Sequence, residues 1–183
     1  MSIIARNEGK DFEKAPNGMH QAVCAFVEDI GTHEGSYLGK PLSRHQIVIC
    51  WELKELMKEG ENEGKPFMIS KFYTLSLWDK ANLRKDLESW RGKEFTEDEL
   101  KGFDLEKLIG ANCFLNIIEG KKQDGSVRAQ IASINPITAN MEKLMIFNKK
   151  APDWIEKKRS QSIEAQGESA GENTEQSDDS LPF

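Results

Sequence analysis

PFMISKFYTLSLWDKANLRKDLESW, residues 66–90, changes its period partway along. From Pro66 to Leu75 it is dense in aromatic and β-branched side chains, the composition of a strand. From Asp79 to Trp90, Leu83, Leu87 and Trp90 fall at helical spacing, with Lys80, Arg84, Lys85 and Glu88 on the other side. A strand therefore leads into an amphipathic helix. Just beyond, Thr96-Glu97-Asp98-Glu99 fits an N-terminal capping box, with Thr96 as cap and Glu99 three positions on. A second short helix should start there and end near Gly102.

Upstream, Met19–Ile30 reads as a first strand, apolar on both faces over part of its length, after the turn-like Ala15-Pro16-Asn17-Gly18. Gly31–Leu42 is rich in Gly and polar residues and reads as a long hairpin loop carrying a lone aromatic, Tyr37. Ser43–Leu53 is a second strand, with His45, Ile47, Ile49, Trp51 and Leu53 on one face and Arg44, Gln46, Val48, Cys50 and Glu52 on the other. Downstream, Ala111–Glu119 and Ser126–Ile134 read as two strands, and an amphipathic stretch from Met141 to Trp154 closes the body, with a break at Pro152. The order predicts a mainly β domain with helical insertions. Five strands with a helix between strands 3 and 4 is the arrangement of a five-stranded OB-fold barrel.

Charge divides the chain after Arg159. Residues 160–183 hold six acidic side chains and no Lys or Arg, whereas 1–159 balance 25 basic against 25 acidic residues. A neutral body can still carry a basic groove. Residues 160–180 have no aromatic residue and no hydrophobic period, so 160–183 is expected to be a disordered acidic tail following a 1–159 domain. The tail ends in an apolar tip, Leu181-Pro182-Phe183, behind Asp178 and Asp179. A basic-rimmed apolar pocket on a partner could seat the Phe183 ring and pair with its terminal carboxylate, with Asp178 and Asp179 steering the approach. The three cysteines lie far apart without C-x-x-C spacing and read as packed thiols, not as a zinc site or a disulfide framework. No stretch approaches the ~20 apolar residues of a membrane span, and the expected setting is soluble and intracellular.

With these residues in view, the chain resembles single-stranded-DNA-binding proteins of the bacterial and bacteriophage replication type. The tip Asp178-Asp179-Ser180-Leu181-Pro182-Phe183 resembles the acidic, Pro-Phe-ending tip of the bacterial members, with Ser180 interrupting the acidic run and Leu181 where Ile is commoner. The body is longer than theirs between strands 3 and 4. It looks more like the phage-encoded branch, particularly through residues 87–95. The resemblance implies binding and protection of single-stranded DNA in replication, recombination and repair. It also implies recruitment of helicases, polymerase subunits, nucleases or recombination factors through the tip, and a cytoplasmic setting, in the bacterial host if phage-encoded. A homodimer is left open.

Binding single strands without sequence preference needs cations along the phosphates and aromatic faces under the bases. On the barrel reading these come from strands 2 and 3 and the loops after strands 1 and 4. Lys71 and Tyr73 share a face of strand 3 and are expected outward, since burying Lys71 unpaired would be costly; Phe72 then points to the core. Arg44 and Gln46 on strand 2, Tyr37 in the first loop, Lys121 and Lys122 in the fourth, and Arg128 on the last strand complete the candidate DNA-binding set. Trp78 and Trp90 flank the helix as anchors. No phosphate-cradling loop, nucleophile elbow or H-E-x-x-H motif occurs, so no catalytic residue, metal or cofactor is expected, and the chain reads as a non-enzyme. The rival reading is an OB-fold protein-binding adaptor, or a DNA-mimicking inhibitor of a host nuclease or repair factor, without DNA affinity of its own.

Overall fold

Strand formation begins at Gly18, directly after Ala15-Pro16-Asn17. In the computed structural model, which describes residues 13–122 and 124–171, β1 (Gly18–Tyr37) pairs antiparallel with β2 (Lys40–Leu56) along nearly its whole length. β3 (Pro66–Thr74) follows on the far side of β2. Next come α1 (Asn82–Arg91) and α2 (Glu97–Lys101). β4 (Asn112–Lys121) returns to the free side of β1, and β5 (Val127–Asn135) pairs with β4. The result is one antiparallel five-stranded sheet in the order β3-β2-β1-β4-β5. The sheet is open: among the described residues no ladder joins β3 to β5, although the two strands approach within 8 Å between Cα atoms.

The change of period read at residues 75–79 marks the passage from β3 to α1. Leu83, Leu87 and Trp90 turn the apolar face of α1 into the core, where Trp90 meets Trp51 with ring centroids 5.8 Å apart. The Trp90 indole N–H donates to the Asn112 carbonyl at 3.0 Å, which satisfies its polar end. The capping box at α2 is formed in both directions: Glu99 N–H donates to Thr96 Oγ1, and Thr96 N–H donates to Glu99 Oε2.

Two readings of the sequence need correction. Residues 31–42 are not a long loop. β1 and β2 continue as a paired ribbon to a two-residue turn at Leu38-Gly39, where both residues have positive φ, the geometry a tight hairpin demands. Tyr37 stands at the tip of that ribbon, 63% exposed. Residues beyond Arg159 also pack on the body, although the sequence puts the start of a disordered tail there. Ser162 is buried against Gly31, where a Cβ would come within 2.6 Å of the serine Cβ, and Glu164 accepts the Thr32 N–H at 2.9 Å. Helix α3 (Asp153–Arg159) precedes this contact and α4 (Ile163–Gly171) follows it.

Residues 141–162 form a strap over the outer face of β1 and β2. The stretch read as amphipathic, 141–152, has no regular structure, so its backbone needs partners from the sheet. Gln21 donates to the Glu142 carbonyl at 2.7 Å, and the Asn112 side chain both accepts from Leu144 N–H and donates to its carbonyl. The Glu52 carboxylate, 1% exposed, accepts from Phe147 N–H, Asn148 N–H and the Asn148 side-chain amide at 2.6, 2.9 and 2.7 Å. Ile155 of α3 then closes a second small core with Ile30, Val48 and Cys50. Both faces of β2 are thus buried over residues 47–53. Cys24, Cys50 and Cys113 are free, buried thiols, and burial pushes Cys50 up to about 12. Among the described residues no helix is long and apolar enough to cross a membrane.

His20 ties the start of β1 to the end of β2. Its Nδ1 lies 3.0 Å from Glu55 Oε1, and its Nε2 lies 2.8 Å from the Pro16 carbonyl. Burial works against the charged ring, but the hydrogen bond and charge of Glu55, with Pro16 and Asn17, outweigh it and raise the pKa above 6.5. A raised pKa means a contribution fully present below about pH 6.5 and lost as pH climbs through the folded-state value. The thermal midpoint of wild type over His20→Gln should therefore show its largest advantage at pH 6 and a shrinking one toward pH 8. A difference that stays constant with pH would contradict this linkage.

Candidate nucleic-acid interface

Strand parity decides which side chains of β3 are available. Ile69, Lys71 and Tyr73 lie on the inner face, and Phe72 lies on the outer face between Ser70 and Thr74. This reverses the assignment expected from sequence. Tyr73 is 3% exposed, its hydroxyl donates to Asp86 Oδ2 at 2.7 Å, and burial together with the Asp86 charge pushes its pKa up. Its ring belongs to the core and is no stacking platform. Phe72 is 44% exposed. Lys71 escapes the cost of unpaired burial because Asp86, on α1, accepts its ammonium at 2.6 Å. The carboxylate comes from a helix folded back over the strand, so Lys71 and Tyr73 share one inward anchor.

Two grooves meet at Phe72. One, of about 380 Å³, is lined by Arg44 and Gln46 of β2, by Phe72, Tyr73 and Thr74 of β3, and by Ser76, Trp78 and Lys80 beyond it. Trp78 is 64% exposed, with the Lys80 ammonium 5.5 Å from its ring centroid. Such a cation approaches the negative face of the ring. The second groove, of about 790 Å³, lies in the opening between β3 and β5. Its lining includes Lys14, Ser70, Lys71, Phe72, Lys122, Arg128 and Gln130. Arg44, Lys80, Lys122 and Arg128 are all exposed.

Six of the eight candidate DNA-binding residues therefore line this pair of grooves: Arg44, Gln46, Lys71, Tyr73, Lys122 and Arg128. Tyr37 is out on the ribbon, and Lys121 ends β4; neither lines a groove. Sequence reasoning missed Phe72, Trp78, Lys80 and Lys14 as members. Trp78 carried the available signal, a large aromatic just outside a strand and before the helical period begins. The set offers two exposed aromatic faces among five exposed cations, Lys14, Arg44, Lys80, Lys122 and Arg128, which can stack bases and neutralise phosphates. Among the described residues no three His, Cys, Asp or Glu side chains converge as metal ligands. The docking residues expected at the tip, Asp178, Asp179, Leu181, Pro182 and Phe183, lie outside the described residues.

No protein-family model matches this chain, and no curated protein matches it.

Proposed function

We propose that this protein binds single-stranded DNA along the grooves on either side of Phe72 and protects it during replication, recombination or repair. It acts as a binding protein and not as an enzyme. The observation that carries this reading is that one exposed aromatic, Phe72, joins two grooves lined by Arg44, Trp78 and Lys80 on one side and Lys14, Lys122 and Arg128 on the other. Aromatic faces between cations suit a strand with unpaired bases; a duplex offers no free base faces to them. The fold supports the same reading. An open order of β3-β2-β1-β4-β5, with β3 and β5 approaching, supports reading the sheet as an OB-fold barrel parted at one seam, and such barrels bind oligonucleotides on the face of strands 2 and 3. The acidic tip 178–183 would then recruit replication or repair partners, in the cytoplasm of a bacterial host if the chain is phage-encoded.

The test is fluorescence anisotropy of labelled oligo-dT, titrated at several salt concentrations. Binding should weaken linearly on a log–log plot, and duplex DNA should bind much more poorly. Lys122→Ala and Arg128→Ala should each reduce the magnitude of the slope by about 0.7, the value for one phosphate contact on a single strand. If no binding occurs at low salt, with the acidic tip present or removed, the DNA reading fails and the adaptor reading takes its place.

A further inference from the structure

Each strand of the sheet is antiparallel to its neighbour, so β3 and β5 run in the same direction on either side of the opening. Leu75 N–H donates to the His45 carbonyl at 2.9 Å, and bonds to a neighbouring strand recur at every second residue. Ile69, Lys71 and Tyr73 therefore point their backbone groups at β2, and those of Met68, Ser70 and Phe72 point into the opening. On the far side, Lys122 N–H donates to the Ser126 carbonyl at 2.8 Å, and the same alternation turns the groups of Val127, Ala129 and Ile131 into the opening. Two strand edges thus wall the groove of about 790 Å³, and among the described residues nothing pairs with either. The β1–β2 ribbon shows how this fold guards an edge. There Glu164 takes the Thr32 N–H at 2.9 Å, Arg159 Nε donates to the Asp29 carbonyl at 2.8 Å, and Pro41 has no N–H to offer. Residues 68–72 and 127–131 contain no proline, and no described side chain takes their edge groups.

We propose that this opening receives an extended peptide strand of a partner protein, which pairs backbone to backbone with the exposed edges and alternates small apolar with acidic side chains. A polypeptide strand supplies donors and acceptors at the repeat of a sheet edge, whereas a DNA phosphate chain supplies acceptors alone. On its inner face the strand would meet Ile69, Ala129 and Ile131 of the core, which selects apolar residues. On its outer face it would meet Phe72, Gln130 and Arg128, with Lys14 and Lys122 exposed in the same groove, which selects acidic ones. The other charges there are already engaged, Lys71 by Asp86 and Glu13 by the Lys58 and Glu59 backbone N–H groups. Seating between two edges needs about 10 Å, two interstrand spacings, whereas β3 and β5 come within 8 Å of each other, so the strand enters where the opening widens into the groove. Residues 172–183 hold no apolar residue before Leu181 and so lack the required alternation. The pairing does not depend on DNA binding; where both occur, a seated strand displaces DNA from the side of the track that carries Lys122 and Arg128.

The probe is a fluorescein-labelled Glu-Val-Glu-Val-Glu-Val-Glu peptide titrated against the full chain. It should bind saturably and slow hydrogen exchange at the Ser70, Phe72 and Ala129 amides, while the Lys71 and Tyr73 amides, already bonded to β2, change little. N-methylation of its central residues removes N–H groups and keeps every side chain, and should weaken binding about fivefold or more. Ala129→Pro deletes one edge donor without touching the β4 ladder and should weaken binding by a similar factor. Its thermal midpoint beside wild type separates loss of the edge from loss of the fold, and the methylated peptide, used on the unaltered chain, decides the matter if the variant unfolds. No binding, or equal binding of the methylated peptide, would overturn the proposal, since charge alone would then hold any peptide present. Slow exchange of the same amides before peptide is added would overturn it too, because this chain or a second copy would already occupy the edges. Oligo-dT titrations stay separate, so a failure of the DNA reading leaves the amide protection as a readout.

Discussion

Trp78→Ala is expected to weaken oligo-dT binding by roughly 5- to 150-fold, the equivalent of about 1–3 kcal/mol for one stacked base. The ring is mostly exposed and belongs to neither apolar core, so removing it should cost the fold little. Its loss in affinity can then be read directly as lost stacking. Phe72→Ala should lose a similar amount, but this variant also strips the packing partner of Trp154. Its unfolding midpoint must be measured beside its affinity. Tyr73→Phe gives the contrast. It removes only the hydroxyl that donates to Asp86, so it should lower stability by about 1 kcal/mol and leave oligo-dT affinity where it was. If Trp78→Ala and Phe72→Ala both bind oligo-dT like wild type, the proposed track is wrong.

The largest effect on stability is expected at Glu52. Its carboxylate accepts three hydrogen bonds from the strap at a site closed to water. Glu52→Ala leaves two backbone N–H groups and one amide without acceptors, at a cost of about 3–5 kcal/mol. A domain of this size has a total of only about 5–15 kcal/mol. Glu52→Gln keeps the shape but turns an NH₂ group toward the donors of Phe147 and Asn148, so it should recover only part of the loss. Urea unfolding measures the global change. Hydrogen exchange at the Leu144, Phe147 and Asn148 amides would show whether the strap opens before the sheet does. A Glu52→Gln midpoint indistinguishable from wild type would mean that the carboxylate does not hold the strap.

What could be read from sequence, and what could not, follows from the range over which each signal acts. The strand-to-helix transition near residues 75–79, the box at Thr96 and Glu99 and the buried row Ile47, Ile49, Trp51 and Leu53 are written in neighbouring residues. The parity of β3 is not. Lys71 looked too costly to bury because Asp86, which neutralises it, lies 15 residues away and reaches it only once α1 folds over the strand. The outer face of β2 looked half-polar because the residues that cover it, from Phe147 to Ile155, arrive nearly a hundred positions later. The ribbon at residues 31–42 was hidden for another reason. It is a paired strand with little to bury, so it carries no apolar alternation to detect. Of the site, the cations were largely legible, whereas the exposed aromatics depended on that same parity.

The strap also sets an order of events during synthesis. Glu52 and Asn148 are 96 positions apart, so at about 5–20 residues per second the carboxylate waits roughly 5–20 s on the ribosome before its partner is made. Throughout that interval Val48 and Cys50 have no Ile155 to cover them. A nascent chain, or any shortened form ending before α3, therefore presents an uncovered apolar sheet face to its neighbours. Truncations meant to isolate the folded body should end beyond Glu164, not at the close of β5.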